Sequence, residues 1–387
     1  MPGEHASKSP SSSKMWLACP PSLRLNARLK ERFGDKSSSY AEEGTKAHTL
    51  SEIKLRLANG EINRFLADTL TDALGDIPSE MEMFTDRYAD TVLDVYYEAK
   101  QTCPDAKLFV EQRVSMERWA KDCWGTSDAV VVSDNVLVVM DLKYGKGVPV
   151  QAENNSQARL YALGALDAFG DLYGFDEIRT YIIQPRLDSV TTETLTRAEL
   201  LEWGEWLRPL AELAEKGQGE FKTGEHCRFC AARAICAARA SEAMSIFNHG
   251  FGEPRVIPDE DIPGILNVLD TAEAWIKDIR AYAQSQAMLG QSWPGWKLVH
   301  GKRPGRKWKS EDDVVDVLAR AGYTGEQYIE AKLKSCAELE KVLGKSCFDA
   351  LLGQLVTQGE GAITLVPDSD KRPEYSSAEA ALGDLLD

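Results

Sequence analysis

The sequence predicts an α/β fold in which helices flank a central mixed sheet, followed by a mostly helical C-terminal domain. Two observations predict the sheet. Short apolar runs rich in β-branched residues lie between positions 107 and 184, and turn residues separate them. Helical periodicity dominates before and after this region. The 387 residues are enough for about two to three domains.

The elements follow in a defined order. Helices are predicted near residues 11–19, at 41–58 and within 62–102; a strand at 108–114; a hairpin at 129–132 and 136–142; a helix at 153–169; a strand at 180–184; helices at 197–215 and 259–289; and a strand-like piece at 296–299. Ser133, Asp134 and Asn135 form the hairpin turn.

Composition changes along the chain suggest four regions. They are a flexible, Ser-rich tail over residues 1–14, a core domain over 15–245, a mostly helical C-terminal domain over 258–366, and an acidic tail over 367–387. A stretch rich in Gly and Pro, residues 248–258, has the composition of a linker between the core and the C-terminal domain.

The net charge of −16, from 61 acids and 45 bases, argues weakly against a nucleic-acid partner. The argument is not decisive, because a bound metal ion reverses the local sign of a carboxylate site. The sequence has no apolar run of the ~18 residues that a membrane span needs. The N-terminus lacks a signal-peptide core, so we expect an intracellular protein without membrane contact.

The sharpest chemical signal is a pair of carboxylates at the ends of the predicted hairpin. Asp128 opens one strand and Asp141 closes the other, so antiparallel pairing brings them side by side. Lys143 lies two residues after Asp141 and points to the same face. Carboxylates bind Mg²⁺ or Mn²⁺, and a neighbouring lysine stabilises developing charge. The alternative interpretation is a surface hairpin whose ends form a salt bridge.

Residues outside the hairpin add to this pattern. His48 and Glu52 share one face of a predicted helix, and Glu111 lies within a predicted strand. Gln157 and Tyr161, one helical turn apart, follow the strand that carries Asp141. An ordinary helix histidine and solvated carboxylates are the alternative. Tyr144-Gly145-Lys146-Gly147 does not match a phosphate-binding P-loop, and we interpret it as a tight turn in which Lys146 can contact phosphate.

Taken together, these motifs resemble the PD-(D/E)XK nuclease superfamily, and specifically its RecB-like branch. The family order is a helical His or Glu, a Glu-bearing strand, a Gly-x-x-Asp strand, an (Asp/Glu)-x-Lys strand and a Gln-x-x-x-Tyr helix. The matching positions are His48, Glu111, Gly125 to Asp128, Asp141 to Lys143, and Gln157 to Tyr161. The resemblance covers about residues 11–240. The motifs are individually short, but their order is specific.

The resemblance implies a role for each of these residues. His48, Asp128 and Asp141 would bind Mg²⁺ or Mn²⁺, with the Leu142 carbonyl as a further ligand. Lys143 would be the catalytic lysine, and Glu111 would act at the catalytic site or directly behind it. Gln157 and Tyr161 would contact DNA or brace the site.

Three of the eight cysteines, Cys227, Cys230 and Cys236, fall within ten residues. Their spacing suits either zinc, with His226 as the nearest fourth ligand, or an iron–sulfur cluster. The resemblance to AddB-type nucleases implies a [4Fe–4S] cluster, with Cys19 as the fourth ligand from before the core. Such a cluster would join the two ends of the domain and stabilise it.

The segment from Lys297 to Lys309 is basic and contains no acid, and tryptophans lie in or beside it. Lys302, Arg303 and Arg306 are therefore candidate DNA contacts. A solvated basic loop with core tryptophans is the alternative interpretation.

The function expected from these features is Mg²⁺- or Mn²⁺-dependent hydrolysis of DNA, in the form of an exonuclease. The chain is also similar to phage-encoded RecB-like nucleases. That similarity implies a role in phage replication or recombination in the bacterial cytoplasm, with a single-strand annealing or recombination protein as a partner. Two alternatives stay open: a catalytically inactive DNA-binding accessory protein with the same fold, and a zinc-stabilised interaction protein.

Overall fold

The computed structural model describes residues 6–33, 39–245, 259–298, 320 and 344–345. The chain divides into two compact units, Met1–Val299 and His300–Asp387. All helices and strands given below belong to the first unit. This unit has an α/β fold with a mixed sheet between helices, as the sequence predicts.

Nine α-helices occur in the described residues. They are α1 (Ser13–Ala18), α2 (Ser22–Phe33), α3 (Ser39–Ala58), α4 (Arg64–Ala73), α5 (Ser79–Thr102), α6 (Ser156–Phe169), α7 (Arg197–Lys216), α8 (Ala237–Met244) and α9 (Ile262–Met288). Local signals set several boundaries. The Asn63 and Asn155 side chains accept hydrogen bonds from the first turns of α4 and α6, and Thr196 and Glu199 form a capping box on α7.

Five strands form one sheet in sequence order. They are β1 (Lys107–Ser115), β2 (Trp124–Val132), β3 (Val136–Leu142), β4 (Glu177–Gln184) and β5 (Ser189–Thr196). All neighbouring strands pair antiparallel except β3 and β4, which are parallel and are joined through α6. The predicted hairpin is therefore β2–β3, and the sheet is mixed as expected.

Strand β5 was not predicted from the sequence. It reads Ser-Val-Thr-Thr-Glu-Thr-Leu-Thr, and only Glu193 is buried. The strand lies at the edge of the sheet and pairs with β4 alone. Because half of its side chains are exposed and most are polar, it lacks the apolar run by which the other strands were recognised.

Each face of the sheet packs against its own set of helices. One face packs against α1, α6 and α7, and its apolar layer includes Val114, Val130, Val132, Leu137 and Val139. The other face packs against α3 and α5, and its layer includes Leu108, Val110, Ala129, Val131, Val138, Met140 and Leu142. In β2 and β3 the two layers alternate residue by residue, as the pleat of a strand requires.

The expectation of a flexible tail over residues 1–14 is not met by residues 6–14. Lys8 is fully buried and forms an ion pair with Glu215 at the end of α7. Ser13 contacts Ser156 at the start of α6, with 2.7 Å between their hydroxyl oxygens. The Ser-rich composition suggested solvent exposure throughout, but the buried Lys8 and Ser13 instead hold this segment against α7 and α6.

The boundary expected between residues 245 and 258 also differs from the structure. Helix α9, predicted to open the C-terminal domain, belongs to the first unit and contacts α8. Asp278 on α9 pairs with the buried Arg239 of α8, and the Trp275 indole N–H donates to the Ala234 carbonyl at 3.1 Å. A buried guanidinium needs a counter-ion, and α9 supplies it.

Two further findings concern predictions made for this part of the chain. Residues 296–298 contain no strand, so the strand-like piece expected at 296–299 is not seen in its described part. Among the described residues, no helix is both long enough and apolar enough to cross a membrane.

Candidate active site

The candidate site is centred on an interruption in the β1–β2 ladder. The two strands keep one register from Lys107 opposite Val132 to Ser115 opposite Trp124, but Glu111 and Asp128 do not pair. Glu111 has a φ of 52°, a left-handed conformation rare for a residue with a long side chain. Such a conformation costs about 1–3 kcal/mol and persists where the surrounding structure imposes it.

The interruption changes which side of β1 faces which helices. Leu108 and Val110, before Glu111, belong to the apolar layer under α3 and α5. Val114, after Glu111, belongs to the layer under α6. The alternation of side chains along the strand therefore changes phase at Glu111, and the polar pair lies where one apolar layer gives way to the other.

His48 on α3 completes a set of three metal-ligand side chains with Glu111 and Asp128. One ligand atom from each lies within 4.8 Å of the others, and this is the only such set of three found in the described part of the chain. His48 Nδ1 lies 3.2 Å from Asp128 Oδ1. An imidazole and two carboxylates suit Mg²⁺ or Mn²⁺.

The electrostatics of this set are those of crowded carboxylates. Burial, together with the negative charges of Asp128 and Glu52, raises the pKa of Glu111 to about 8. Burial lowers the pKa of His48, but its hydrogen bond to Asp128 and the charges of Asp128 and Asp141 outweigh this, so the net pKa is raised. A divalent cation would relieve the same repulsion, so these residues fit a metal site.

Asp141 belongs to a second group of contacts beside this set. Its carboxylate contacts the Lys143 ammonium at 2.7 Å and accepts a hydrogen bond from the Gln157 amide at 2.8 Å. Lys143 also donates to Gln157 Oε1 at 2.8 Å. Asp141, Lys143 and Gln157 thus form a closed triangle of polar contacts. The expected proximity of Asp141 and Lys143 is found.

The two groups are joined through Asp128. Its Oδ2 accepts the backbone N–H of Leu142 at 2.7 Å, while its Oδ1 lies against His48. The sequence suggested that Asp128 opens its strand. In the structure β2 begins at Trp124, so Asp128 instead lies inside the strand. The start of β2 was not predicted, because Gly125 and Ser127 are not typical strand residues.

Gly125 has a steric reason to be glycine. A Cβ there would lie 3.0 Å from the Tyr161 ring and 3.2 Å from Pro10. Tyr161 is buried on α6, and burial raises the pKa of its hydroxyl above the ordinary value. Of the two roles considered for Tyr161, its position favours bracing the site over contacting DNA.

The connection from Lys143 to α6 is held by residues that the sequence analysis did not identify. The buried Gln184 side chain accepts from the Val150 N–H at 2.7 Å and donates to the Val148 carbonyl at 3.0 Å. Glu193 on β5 accepts from the Asn154 N–H at 2.8 Å and pairs with Arg159. Their role in holding this connection is evident only from their burial, which the sequence does not predict for polar residues.

The predicted DNA contacts have different outcomes. Lys146 is exposed in the connection after β3, where a phosphate group can reach it. Lys302, Arg303 and Arg306 lie outside the described residues. Leu142 donates its N–H to Asp128, and the ligand role of its carbonyl stays a prediction.

The cysteines of the predicted cluster come from two separate segments. Cys19 directly follows α1, while Cys227, Cys230 and Cys236 lie between α7 and α8. Helix α1 contacts the short helical turn of residues Glu225–Phe229, which contains Cys227. Burial raises the pKa of the Cys230 thiol, and the proximity of Cys227 and Cys236 adds to the rise.

Asn26 on α2 and His226 join the same region. The Asn26 side chain lies 3.5 Å from Cys230 Sγ and accepts the N–H of Ala231. His226 is buried, and its hydrogen bond to Cys19 raises its pKa. The segment after α1 and the segment between α7 and α8 therefore meet at the cysteines, as a shared cofactor would require.

Two cofactors are considered for these cysteines, zinc and an iron–sulfur cluster. Four thiolates around one zinc ion would have sulfur separations of about 3.8 Å. Among the described residues, these cysteines do not form a set of three ligand atoms within 4.8 Å of one another. The choice between zinc and an iron–sulfur cluster stays a prediction.

The comparisons with known proteins give a family. The profile of the family described as "Protein of unknown function (DUF2800)" matches residues 5–373, and the chain belongs to this family. A solved structure titled "Crystal structure of SSO0001" is 15% identical and aligns over 58% of this chain and 96% of its own, with a TM-score of 0.21. A likeness at that level says nothing about activity.

Proposed function

We propose that this member of the DUF2800 family is a metal-dependent deoxyribonuclease with a PD-(D/E)XK core. One observation carries the proposal. The His48–Glu111–Asp128 set and the Asp141–Lys143–Gln157 triangle are joined through Asp128 into one polar centre, built from two helices and three strands. Phosphodiester hydrolysis needs such a combination of a divalent-cation site and a fixed ammonium group.

The metal set accounts for one half of the chemistry. Mg²⁺ or Mn²⁺ bound by His48, Glu111 and Asp128 would supply an acidified water and would offset the negative charge of the phosphate. The raised pKa of Glu111, about 8, shows how strongly this position disfavours an unbalanced carboxylate.

Lys143 accounts for the other half. Asp141 and Gln157 fix its ammonium group from two sides, at 2.7 and 2.8 Å. A cation held in this way needs little reorganisation when charge develops on a phosphate oxygen or on the attacking water. Asp141 is almost fully buried, so its contact with Lys143 is only weakly screened by solvent.

A nucleic-acid substrate is supported by an exposed guanidinium beside the metal set. Arg113 is exposed, its guanidinium carbon lies 4.0 Å from the centre of the Trp124 ring, and it forms no ion pair with an acid in the described residues. It lies two residues beyond Glu111 on β1, which is about 7 Å along the strand. The chain is strongly acidic overall, so an unpaired, preoriented arginine at this position suits a phosphate of the substrate.

The finer assignments rest on the resemblance to RecB-like nucleases. They are exonuclease action at DNA ends, a [4Fe–4S] cluster at the four cysteines, and a role in phage replication or recombination beside an annealing or recombination protein. The convergence of Cys19 with the later cysteines supports the cluster.

The test compares anaerobically purified wild type with Asp141→Asn and, as a matched control, Asp134→Asn. Asp134 is exposed in the turn at the other end of the same hairpin. Each protein is incubated with Mg²⁺ or Mn²⁺ and with end-labelled linear duplex, single-stranded or closed circular DNA. We expect cleavage by wild type and Asp134→Asn, and a loss of about 10³-fold in Asp141→Asn.

Degradation of linear DNA with intact circles would support an exonuclease, and cut circles would indicate an endonuclease. If folded wild type cuts none of the substrates, the nuclease proposal is wrong, and a DNA-binding accessory role replaces it.

A further inference from the structure

Tyr88 on α5 is a buried polar residue that the proposed chemistry has not yet used. It is 1% exposed and belongs to the apolar layer under α3 and α5. The same layer contains the immediate sequence neighbours of the polar centre, namely Ala47, Val110, Ala129, Met140 and Leu142. Tyr88 therefore lies under the polar centre, on the side from which α3 supplies His48.

The Tyr88 hydroxyl has no hydrogen-bond partner among the described residues. A buried hydroxyl without a partner is costly and uncommon in native proteins, and each case requires an explanation. No carboxylate in the described part of the chain accepts a hydrogen bond from this hydroxyl, but carboxylate charges affect its pKa. Burial raises its pKa well above the ordinary value, and the charges of Asp128, Asp141 and Glu111 raise it further.

Within the residues that the structure describes, the Tyr88 hydroxyl lacks a hydrogen-bond acceptor. The phenol keeps its proton at physiological pH, so it is a hydrogen-bond donor. The sequence neighbours of Asp128, Asp141 and Glu111 share its apolar layer, but no described carboxylate is in hydrogen-bond contact with the hydroxyl. A water molecule would give the hydroxyl an acceptor, and Mg²⁺ and Mn²⁺ bring such oxygen ligands because they retain water when bound to proteins.

We propose that Tyr88 is a positioning residue of the metal centre, whose hydroxyl donates a hydrogen bond to a water molecule bound with the divalent cation. The inference rests on the proposed function, since it requires a cation at His48, Glu111 and Asp128. Tyr88 would be a fourth residue of the metal centre, beside His48, Glu111 and Asp128, and it is supplied by α5. Its role would be to orient a water molecule as a neutral hydrogen-bond donor.

The test is the conservative variant Tyr88→Phe, which removes only the oxygen. Tyr96→Phe is the matched control, because Tyr96 is a buried tyrosine on the same helix whose ring lies beside Lys100, 5.1 Å from its ammonium. Mn²⁺ binding is measured by titration calorimetry and by electron paramagnetic resonance. Melting temperatures are recorded with and without Mn²⁺.

We expect metal-free Tyr88→Phe to be as stable as wild type or more stable, since it loses an unpartnered hydroxyl. Its Mn²⁺ affinity should fall about tenfold, and the gain in melting temperature on adding Mn²⁺ should shrink. Tyr96→Phe should bind Mn²⁺ as wild type does.

Two results would overturn the inference while leaving the nuclease proposal in place. One is unchanged Mn²⁺ affinity in Tyr88→Phe, and the other is marked destabilisation of the metal-free variant, which would show a purely structural hydrogen bond. If wild type binds no Mn²⁺ and cuts no DNA, the inference and the proposed function fail together.

Discussion

The polar centre and the cysteine region of this protein are assembled in different ways. In the polar centre, residues from α3, α6, β2 and the end of β3 meet directly, through contacts of 2.7 to 3.2 Å. Glu111 of β1 has a ligand atom within 4.8 Å of those of His48 and Asp128. In the cysteine region, the segment after α1 meets the segment between α7 and α8, and Asn26 supplies two direct polar contacts between them.

This difference indicates that activity and stability depend on separate regions of the molecule. The sheet already holds the polar centre in place, and the crowded carboxylates there act against folding rather than for it. The cysteine segments lie outside the sheet, and under the proposal of a bound cluster they depend on what the thiols bind. Changes in the centre should therefore remove activity while the fold persists, whereas changes at the cysteines should weaken the fold.

The largest expected effect is that of Asp128→Asn. The amide can still accept the Leu142 N–H, but it binds divalent cations poorly. We expect DNA cleavage to fall about 10³-fold and Mn²⁺ affinity at least about 100-fold. The metal-free protein should melt at or above the wild-type temperature, because one charge that opposes ionisation of Glu111 is gone. A clear fall in its melting temperature would break the proposed separation of function from stability.

The next effect is that of Cys19→Ser on the cysteine region. If the proposed cluster is present, loss of one thiol should remove the iron and open the closure between the two cysteine segments, lowering the free energy of unfolding by about 3 kcal/mol. Iron content and denaturant unfolding are measured under anaerobic conditions. Cys103→Ser, at a buried cysteine outside this region, is the control and should retain its iron. Unchanged iron content and stability in Cys19→Ser would contradict the assignment.

Gln157→Leu sharpens the comparison within the polar centre. It removes both hydrogen bonds that orient Lys143 and Asp141 but leaves the His48–Glu111–Asp128 set intact. We expect about a 10- to 100-fold lower rate of cleavage with nearly unchanged Mn²⁺ affinity. The exposed Gln151→Leu serves as the control. An equal loss of Mn²⁺ affinity in Gln157→Leu would mean that the two groups of contacts are one cation site.

The smallest expected effect is that of Gly125→Ala on stability. The added methyl group meets Tyr161 and Pro10 at 3.0 and 3.2 Å, so we expect a loss of about 1–2 kcal/mol in the free energy of unfolding. Gly145→Ala, where a Cβ meets no atom within 4 Å, is the matched control and should change little. Equal stability in both variants would show that the contact with Tyr161 is not tight.

Much of the polar centre was predictable from short-range patterns. The spacing of Asp128 and Asp141 around a turn places them on adjacent strands, and the two-residue spacing puts Lys143 beside Asp141. Glu111 was recognised as a strand residue, but not its left-handed backbone or its place with His48 and Asp128, because conformational strain depends on the partner strand. Strand β5 was missed because polar edge strands carry little apolar signal.

By itself, the sequence determined the order of strands β1 to β4 and of the main helices around them, the hairpin that pairs the two aspartates, and the spacing of the three clustered cysteines. These features follow from periodicity and turn chemistry, which act over a few residues. Only the tertiary structure decided that His48 reaches Asp128, that Gln184 holds the connection after Lys143, and that the Tyr88 hydroxyl is left without a partner. The physical reason is that burial and long-range contact depend on how whole helices and strands pack, and no local pattern encodes that packing.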